Sequence, residues 1–150
     1  MDQIKIDNFL KENPEKEFPN YEHLDNTKSA DIRSRICEKL GVSSSADSLN
    51  LVQQIEKYGH VCVGVHCNEN NFDLKKAFLS IEVECPKNVY ISWYRFDDID
   101  KLRFADLAEK FDDIWYESVD DLDIFDDSFS WIVSVTHYGQ LKFIRLEAPE

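Results

Sequence analysis

A regular alternation of apolar and polar side chains near the C-terminus limits what this chain can fold into more than any other feature. Residues 130–137 place Trp131, Val133 and Val135 at every second position, which is the period of a β-strand. A short turn at residues 138–140 follows, and residues 141–146 alternate again. Two alternating runs joined by a short turn predict an antiparallel hairpin.

The first third of the chain has helical rather than strand periodicity. A short N-terminal helix is predicted to end at Asn13, because the residue before a proline is pushed out of the helical region. Residues 28–40 carry isoleucines at four-residue spacing and are followed by Gly41, a typical C-terminal cap. A further helix is predicted to be capped by the serines at 43–45 and to end at Gly59, with an apolar stripe of Leu51, Val52, Ile55 and Tyr58.

The middle of the chain alternates between the two periods. Residues 61–65 predict a strand whose valine face lies in the core, and residues 78–85 and 89–96 predict a second hairpin. Helical spacing returns at about residues 101–112, and residues 122–125 suit a short strand. The fold class is therefore α+β: a single domain over residues 1–150, with N-terminal helices, about six mostly antiparallel strands and one packed helix.

The net charge of −13 is concentrated in one part of the chain. Residues 97–127 contain 13 acidic and 3 basic residues, a net charge of −10, which leaves −3 for the other 119 residues. A field of this sign repels nucleic acids and anionic membranes, and it accelerates encounters with a basic protein. The alternative is that the acidity only keeps an abundant protein in solution.

The four cysteines indicate the compartment. Cys37, Cys62, Cys67 and Cys85 lack the dense spacing of a disulfide framework, and the sequence shows neither an export signal nor an apolar run long enough to span a membrane. We therefore expect a cytoplasmic protein with reduced thiols.

One group of residues has the chemistry of metal ligands or of a catalytic pair. His60, Cys62, His66 and Cys67 lie in or beside the predicted strand, where alternate residues are about 7 Å apart and do not converge on a zinc ion. Cys62 with His66 or His137 as base would need an oxyanion site, and the sequence has no such motif. We favour a strand face with partly buried thiols and imidazoles, and we predict neither a metal, a cofactor nor an enzyme.

The aspartates of residues 120–127 also allow a calcium site. The run lacks the glycine that an EF-hand loop needs at its sixth position, and its apolar residues alternate as if half-buried. An acidic turn or a binding surface suits it better.

Aromatic residues next to aspartates are typical of protein interfaces, although most aromatics in a domain of this size must be core. The candidates are Trp93, Tyr94, Trp115, Tyr116, Trp131 and Tyr138. We predict a partner-binding surface in which Trp115 and Tyr116 are the anchors and the acidic residues are Asp106, Glu109, Asp113, Asp120, Asp121 and Asp123.

The pattern W-Y-x-S-x-D-D-L-x-I-F-D-x-S-F-S-W-I-V-x-x-T-H over residues 115–137 resembles a segment of small acidic bacterial immunity-type proteins, which neutralise toxins. The resemblance covers no catalytic motif. It implies a non-enzymatic cytoplasmic antidote that binds one cognate toxin domain, and a basic nuclease would suit the charge. The alternative is an acidic adaptor or nucleic-acid mimic that binds a housekeeping DNA- or RNA-binding protein.

Overall fold

The computed structural model describes residues 1–43 and 48–146 as six helices around one seven-stranded antiparallel sheet, which confirms the α+β class. The helices are α1 Gln3–Glu12, α2 Asn26–Leu40, α3 Ser48–Tyr58, α4 Leu74–Ser80, α5 Phe104–Glu109 and α6 Phe111–Ile114. The strands are β1 Tyr21–His23, β2 His60–His66, β3 Asn88–Tyr94, β4 Asp98–Arg103, β5 Leu122–Phe125, β6 Trp131–Val135 and β7 Gln140–Arg145. Their order is β1-β4-β3-β5-β6-β7-β2.

Both faces of the sheet are buried, so its side chains belong to two cores. The first face packs against α4, α5 and α6 and includes Trp131 and Val133. The second face packs against α2 and α3 and includes Ile132 and Ile144. Because neighbouring residues of a strand point to opposite faces, the four apolar residues of Trp131–Val135 are all buried, and Ser134 is half-buried.

The C-terminal hairpin is confirmed. Strands β6 and β7 pair in a regular antiparallel register from Trp131 opposite Arg145 to Val135 opposite Leu141. In the turn between them Gly139 has φ +85°, and a Cβ atom there would lie 2.8 Å from the side chain of Asn68. A glycine is therefore required both by the backbone conformation and by the close contact.

The helices α1 and α2 end where their sequences predict, and α2 begins two residues before the predicted start. Asp2 and Asp25 accept hydrogen bonds from the first free backbone N–H groups of α1 and α2. Asn13 ends α1, and Gly41, with φ +70°, ends α2. The third helix ends at Tyr58 as expected, whereas two of the three serines predicted as its cap and turn, Ser44 and Ser45, lie outside the described residues.

The predicted strand at 78–85 is wrong. Residues 74–80 form α4, because the Asp73 carboxylate caps the N–H groups of Lys75 and Lys76 and Phe78 is fully buried on the helix's inner side. The hairpin partner of β3 is instead β4, at residues 98–103. This strand includes residues 101–103, which were predicted to be the start of the helix. The helix begins only at Phe104 and is interrupted at Lys110, so it forms α5 and α6.

The predicted valine core of β2 is also wrong. Val63 is 94% exposed and Val61 46%, whereas Cys62 and Val65 pack against the first-face core. The pairing of β2 with β7 explains the change. Val61 lies opposite Lys142 and His66 opposite Gln140, so the four residues of β2 between these pairs face a single residue of β7 and form a bulge. Gly64, with φ +83°, is part of this bulge, and the strand loses its period of two.

Candidate functional site

The eight residues predicted to bind a partner do not form one surface. Trp115 is 4% exposed and packs in the first-face core, where its indole stacks on Phe111. Its Nε1–H donates a hydrogen bond of 2.9 Å to the backbone oxygen of Asp120. The prediction that Trp115 is a surface anchor is therefore wrong for this structure, because the indole is used to fix the loop that follows α6.

Asp120 is held in a nearly buried ion pair. Its Oδ2 lies 2.5 Å from Nζ of Lys5, whose side chain is only 3% exposed, and it accepts a second hydrogen bond from the backbone N–H of Tyr116. The same ammonium lies 3.6 Å from the centre of the Tyr116 ring. These contacts fix α1 to the loop after α6, so Asp120 and Tyr116 have a structural role in addition to any partner they bind.

Asp123 lies on the other side of the sheet. Its neighbours Leu122 and Ile124 belong to the first-face core, so the Asp123 carboxylate points to the second face, where Ser134 Oγ donates a hydrogen bond of 2.5 Å to it. Burial, assisted by the nearby charge of Asp121, raises the pKa of Asp123 to about 6, although the Ser134 hydrogen bond opposes the shift.

The remaining predicted acids lie on α5, α6 and the loop that follows. Asp106 pairs with Arg103 at 3.2 Å, and Glu109 is 71% exposed with Lys110 at 3.7 Å. Asp113 is half-buried, and burial raises its pKa; the charges of Glu12 and Asp112 add to the shift, while lysines oppose it. This part of the prediction is consistent with a charged surface.

We call Glu109, Asp112, Asp113, Glu117 and Asp121 the α6 acidic surface. They follow one another over 13 residues of chain, and each is exposed or half-exposed. Among the described residues, Asp112, Asp113 and Glu117 have no ion pair within 4 Å. These three carboxylates therefore have no directly paired cation among the described residues, although Lys110 and Lys16 act on Asp113 from a longer distance.

One end of this surface is a rigid corner where three loops meet. The carboxylate of Asp121 accepts hydrogen bonds of 2.8 Å from the backbone N–H of His137 and contacts its Nδ1 at the same distance. The Ser118 N–H donates to the backbone oxygen of His137, and Asn68 donates to Glu117. Tyr138, 77% exposed, lies against the imidazole of His137 with ring centres 4.0 Å apart.

This corner replaces Trp115 as the exposed aromatic position next to the acids. Tyr138 is a large ring held in place by an imidazole, which is itself fixed by a carboxylate, so little side-chain entropy would be lost on contact with a partner. Val119, 71% exposed, follows Ser118 on the same loop. The turn sequence Tyr138-Gly139 marked a surface position, and that signal was available in the sequence.

A second polar site was not predicted from the sequence, although two residues that line it, Trp93 and Asp120, were candidates for the partner surface. A cavity of about 390 Å³ is lined by Lys5, His23, Trp93 and Asp98, and the fully buried Asp100 lies beside it. His23 and Asp100 are 77 residues apart in the chain and meet only because β1 pairs with β4. The only sequence signal was Lys5, four residues before the core residue Phe9 and thus on the apolar side of α1.

The cysteines fit packing better than catalysis. All four are free thiols, Cys37 and Cys67 are buried, and burial raises the pKa of Cys67 to about 12 and that of Cys62 in the same direction. A raised pKa lowers the fraction of nucleophilic thiolate. In the described part of the chain, the residues His60, Cys62, His66 and Cys67 do not form a group with ligand atoms close enough for a metal ion.

Comparison of the chain with protein-family models, with curated proteins and with solved structures gave no match. Among the described residues, no helix combines the length and the apolar character that crossing a bilayer requires.

Proposed function

We propose that the protein is a non-enzymatic immunity protein that binds a basic toxin domain through the α6 acidic surface. A nuclease is the class of toxin whose positive charge suits this surface. The observation that carries the proposal is a pair of adjacent carboxylates, Asp112 and Asp113, that have no ion pair within 4 Å among the described residues. Burial raises the pKa of Asp113, and the charges of Glu12 and Asp112 add to the shift, although Lys110 and Lys16 oppose it. The repulsion between neighbouring carboxylates in the free protein is reduced when a cation binds next to them. A basic partner supplies such cations, so this reduction favours its binding.

The geometry of the corner supports a specific contact rather than a diffuse charge effect. Tyr138 presents an exposed ring against His137, which contacts Asp121, and both Asp121 and Glu117 are hydrogen-bonded to neighbouring loops. An aromatic anchor in a fixed position contributes affinity, while the surrounding carboxylates select a basic partner and accelerate its association. A solubilising surface would need no such fixed ring.

The test uses candidate toxin domains encoded next to this protein's gene and measures association by stopped-flow fluorescence. Asp112→Asn, Asp113→Asn and Asp121→Asn are combined in one variant. We expect its association rate constant to fall at least tenfold at low salt and the difference to shrink at high salt, because electrostatic steering changes encounter rates by about 10- to 1,000-fold. Co-expression with the toxin should then no longer protect cells.

A matched variant separates the surface from the overall charge. Asp31→Asn, Glu38→Gln and Glu56→Gln remove three exposed carboxylates from α2 and α3, on the other side of the sheet, and change the net charge by the same amount. We expect this variant to associate like the wild type. If both variants slow association equally, the surface assignment is wrong; if the protein retains DNA- or RNA-binding housekeeping proteins and none of the toxins, the antidote proposal itself is wrong and the acidic adaptor takes its place.

A further inference from the structure

The cavity at the β1–β4 edge brings one imidazole and two carboxylates together. Asp98 and Asp100 are alternate residues of β4, and His23 of β1 lies opposite Asp100 in the strand register. One side-chain oxygen or nitrogen from each residue lies within 4.8 Å of the other two. The backbone ladder thus places all three groups at one point of the sheet, at the wall of a cavity of about 390 Å³.

The distances between these atoms suit a single ion. Nδ1 of His23 lies 2.9 Å from Oδ1 of Asp100 and 3.7 Å from Oδ1 of Asp98. Ligands at about 2.1 Å from a metal are separated by about 3.0 Å in octahedral and about 3.4 Å in tetrahedral geometry. The two distances from His23 lie on either side of these values, and the oxygens of Asp98 and Asp100 lie within 4.8 Å of each other, so a movement of the exposed Asp98 side chain would complete the arrangement.

The carboxylate of Asp100 is held in a fixed orientation by its neighbours. It is fully buried, and Nε1–H of Trp93 donates a hydrogen bond of 2.7 Å to its Oδ2, which also pairs with the ammonium group of Met1. Oδ1 is therefore the oxygen left for His23. Hydrogen bonds of this kind orient a ligating carboxylate and are part of most metal sites.

We propose that His23 Nδ1 and one carboxylate oxygen each from Asp98 and Asp100 bind a divalent transition-metal ion, which takes the place of the direct contact between His23 and Asp100. Imidazole combined with carboxylates suits zinc, cobalt, iron or manganese, whereas calcium and magnesium are bound by oxygen ligands alone. Three protein ligands leave the remaining coordination positions on the cavity side for water or for a small anionic group. The site is separate from the α6 acidic surface and does not depend on the proposed immunity function.

The test is a titration of the full chain with Co²⁺, followed by visible absorption, because Co²⁺ reports both its coordination and any thiolate ligand. We expect one ion per chain and no thiolate-to-cobalt charge-transfer band. Asp98→Asn should weaken binding at least tenfold, and His23→Gln should abolish it. Asp98 is half exposed and His23 is 59% exposed, so circular dichroism should show both variants folded.

The chain offers a matched control in its other histidine–aspartate contact. His137 Nδ1 lies 2.8 Å from Asp121 Oδ1, but among the described residues no third ligand joins this pair. His137→Gln and Asp121→Asn should therefore leave Co²⁺ affinity unchanged. The proposal is overturned if folded wild-type protein binds no Co²⁺ at about millimolar concentration, if a charge-transfer band shows that cysteines are the ligands, or if Asp98→Asn and His23→Gln bind as the wild type does.

Discussion

Replacement of Asp123 by asparagine should stabilise the protein at neutral pH. Asp123 lies half-buried on β5, opposite Ser134 of β6 and Ser92 of β3, and its carboxylate accepts the hydroxyl hydrogen bond of Ser134. An asparagine has the same shape and keeps an oxygen for Ser134, but it carries no charge. Asp123→Asn therefore isolates the cost of the buried charge from the packing of the side chain.

The size of the effect follows from the pKa. Burial raises the pKa of Asp123 from 3.8 to about 6. Each unit corresponds to about 1.4 kcal/mol, so ionisation costs the folded state up to about 3 kcal/mol. Because the pKa in the folded state is the higher one, stability is full below about pH 4 and is lost as the pH rises through 6. The carboxylate keeps some contact with solvent, so we expect Asp123→Asn to gain about 1–3 kcal/mol at pH 7.5.

Urea unfolding followed by tryptophan fluorescence, repeated from pH 4 to pH 8, measures this gain. The difference between Asp123→Asn and the wild type should be near zero at pH 4 and should reach its full value above pH 6. Asp31→Asn is the control, because Asp31 is exposed on α2 and is not among the groups that shift the pKa of Asp123. A difference that does not change with pH, or an asparagine variant that is less stable at pH 7.5, would refute the assigned cost of the buried charge.

Three further predictions concern the buried contacts. Lys5→Met leaves the Asp120 carboxylate buried without its cation and should cost about 3–5 kcal/mol in urea unfolding, while adding Asp120→Asn should restore at least half of the loss. Trp115→Phe removes the donor to the Asp120 backbone oxygen and should cost about 1–3 kcal/mol by the same assay. In native protein at pH 8, a disulfide reagent should modify the half-buried Cys62 well before Cys67, whose pKa is raised to about 12; equal rates would contradict the burial of Cys67.

The elements that sequence predicted correctly are those whose local signals and tertiary contacts agree. Helix α2 has an aspartate cap, regular apolar spacing and a terminal glycine, and the β6–β7 hairpin has two alternating runs around Gly139. Each of these signals is complete within about 20 residues. No distant contact was needed to choose between helix and strand.

The errors arose where one pattern fits two structures. Leu79, Ile81 and Val83 occupy alternate positions, which is the pattern of a strand. The buried Phe78 and the N-terminal cap Asp73 favour a helix at α4 instead. Strand β4 was missed because aspartates at 98 and 100 are poor strand formers, and its position between β1 and β3 overrides that preference. Six strands were predicted; one is a helix and two were missed, which gives the seven observed.

The candidate surface was only partly predictable, because charge is visible along the chain and its placement is not. Asp120 and Asp123 are three residues apart, yet one is paired with Lys5 from α1 and the other lies on the opposite face of the sheet. The ion pair with Lys5 joins residues 115 positions apart, as the contact between His23 and Asp100 joins residues 77 apart. Contacts of this range follow from the strand order, which no local pattern specifies.

The bulge in β2 has a consequence for how the protein behaves at high concentration. An edge strand normally offers a row of free backbone groups on which a second chain can add, and β2 carries exposed valines that would favour such addition. The four residues that face a single residue of β7 break that row into short pieces. At the other edge β1 is only three residues long. Neither border of the sheet is a straight template, so the fold is protected against growth into fibrils despite a sheet that is apolar on both faces.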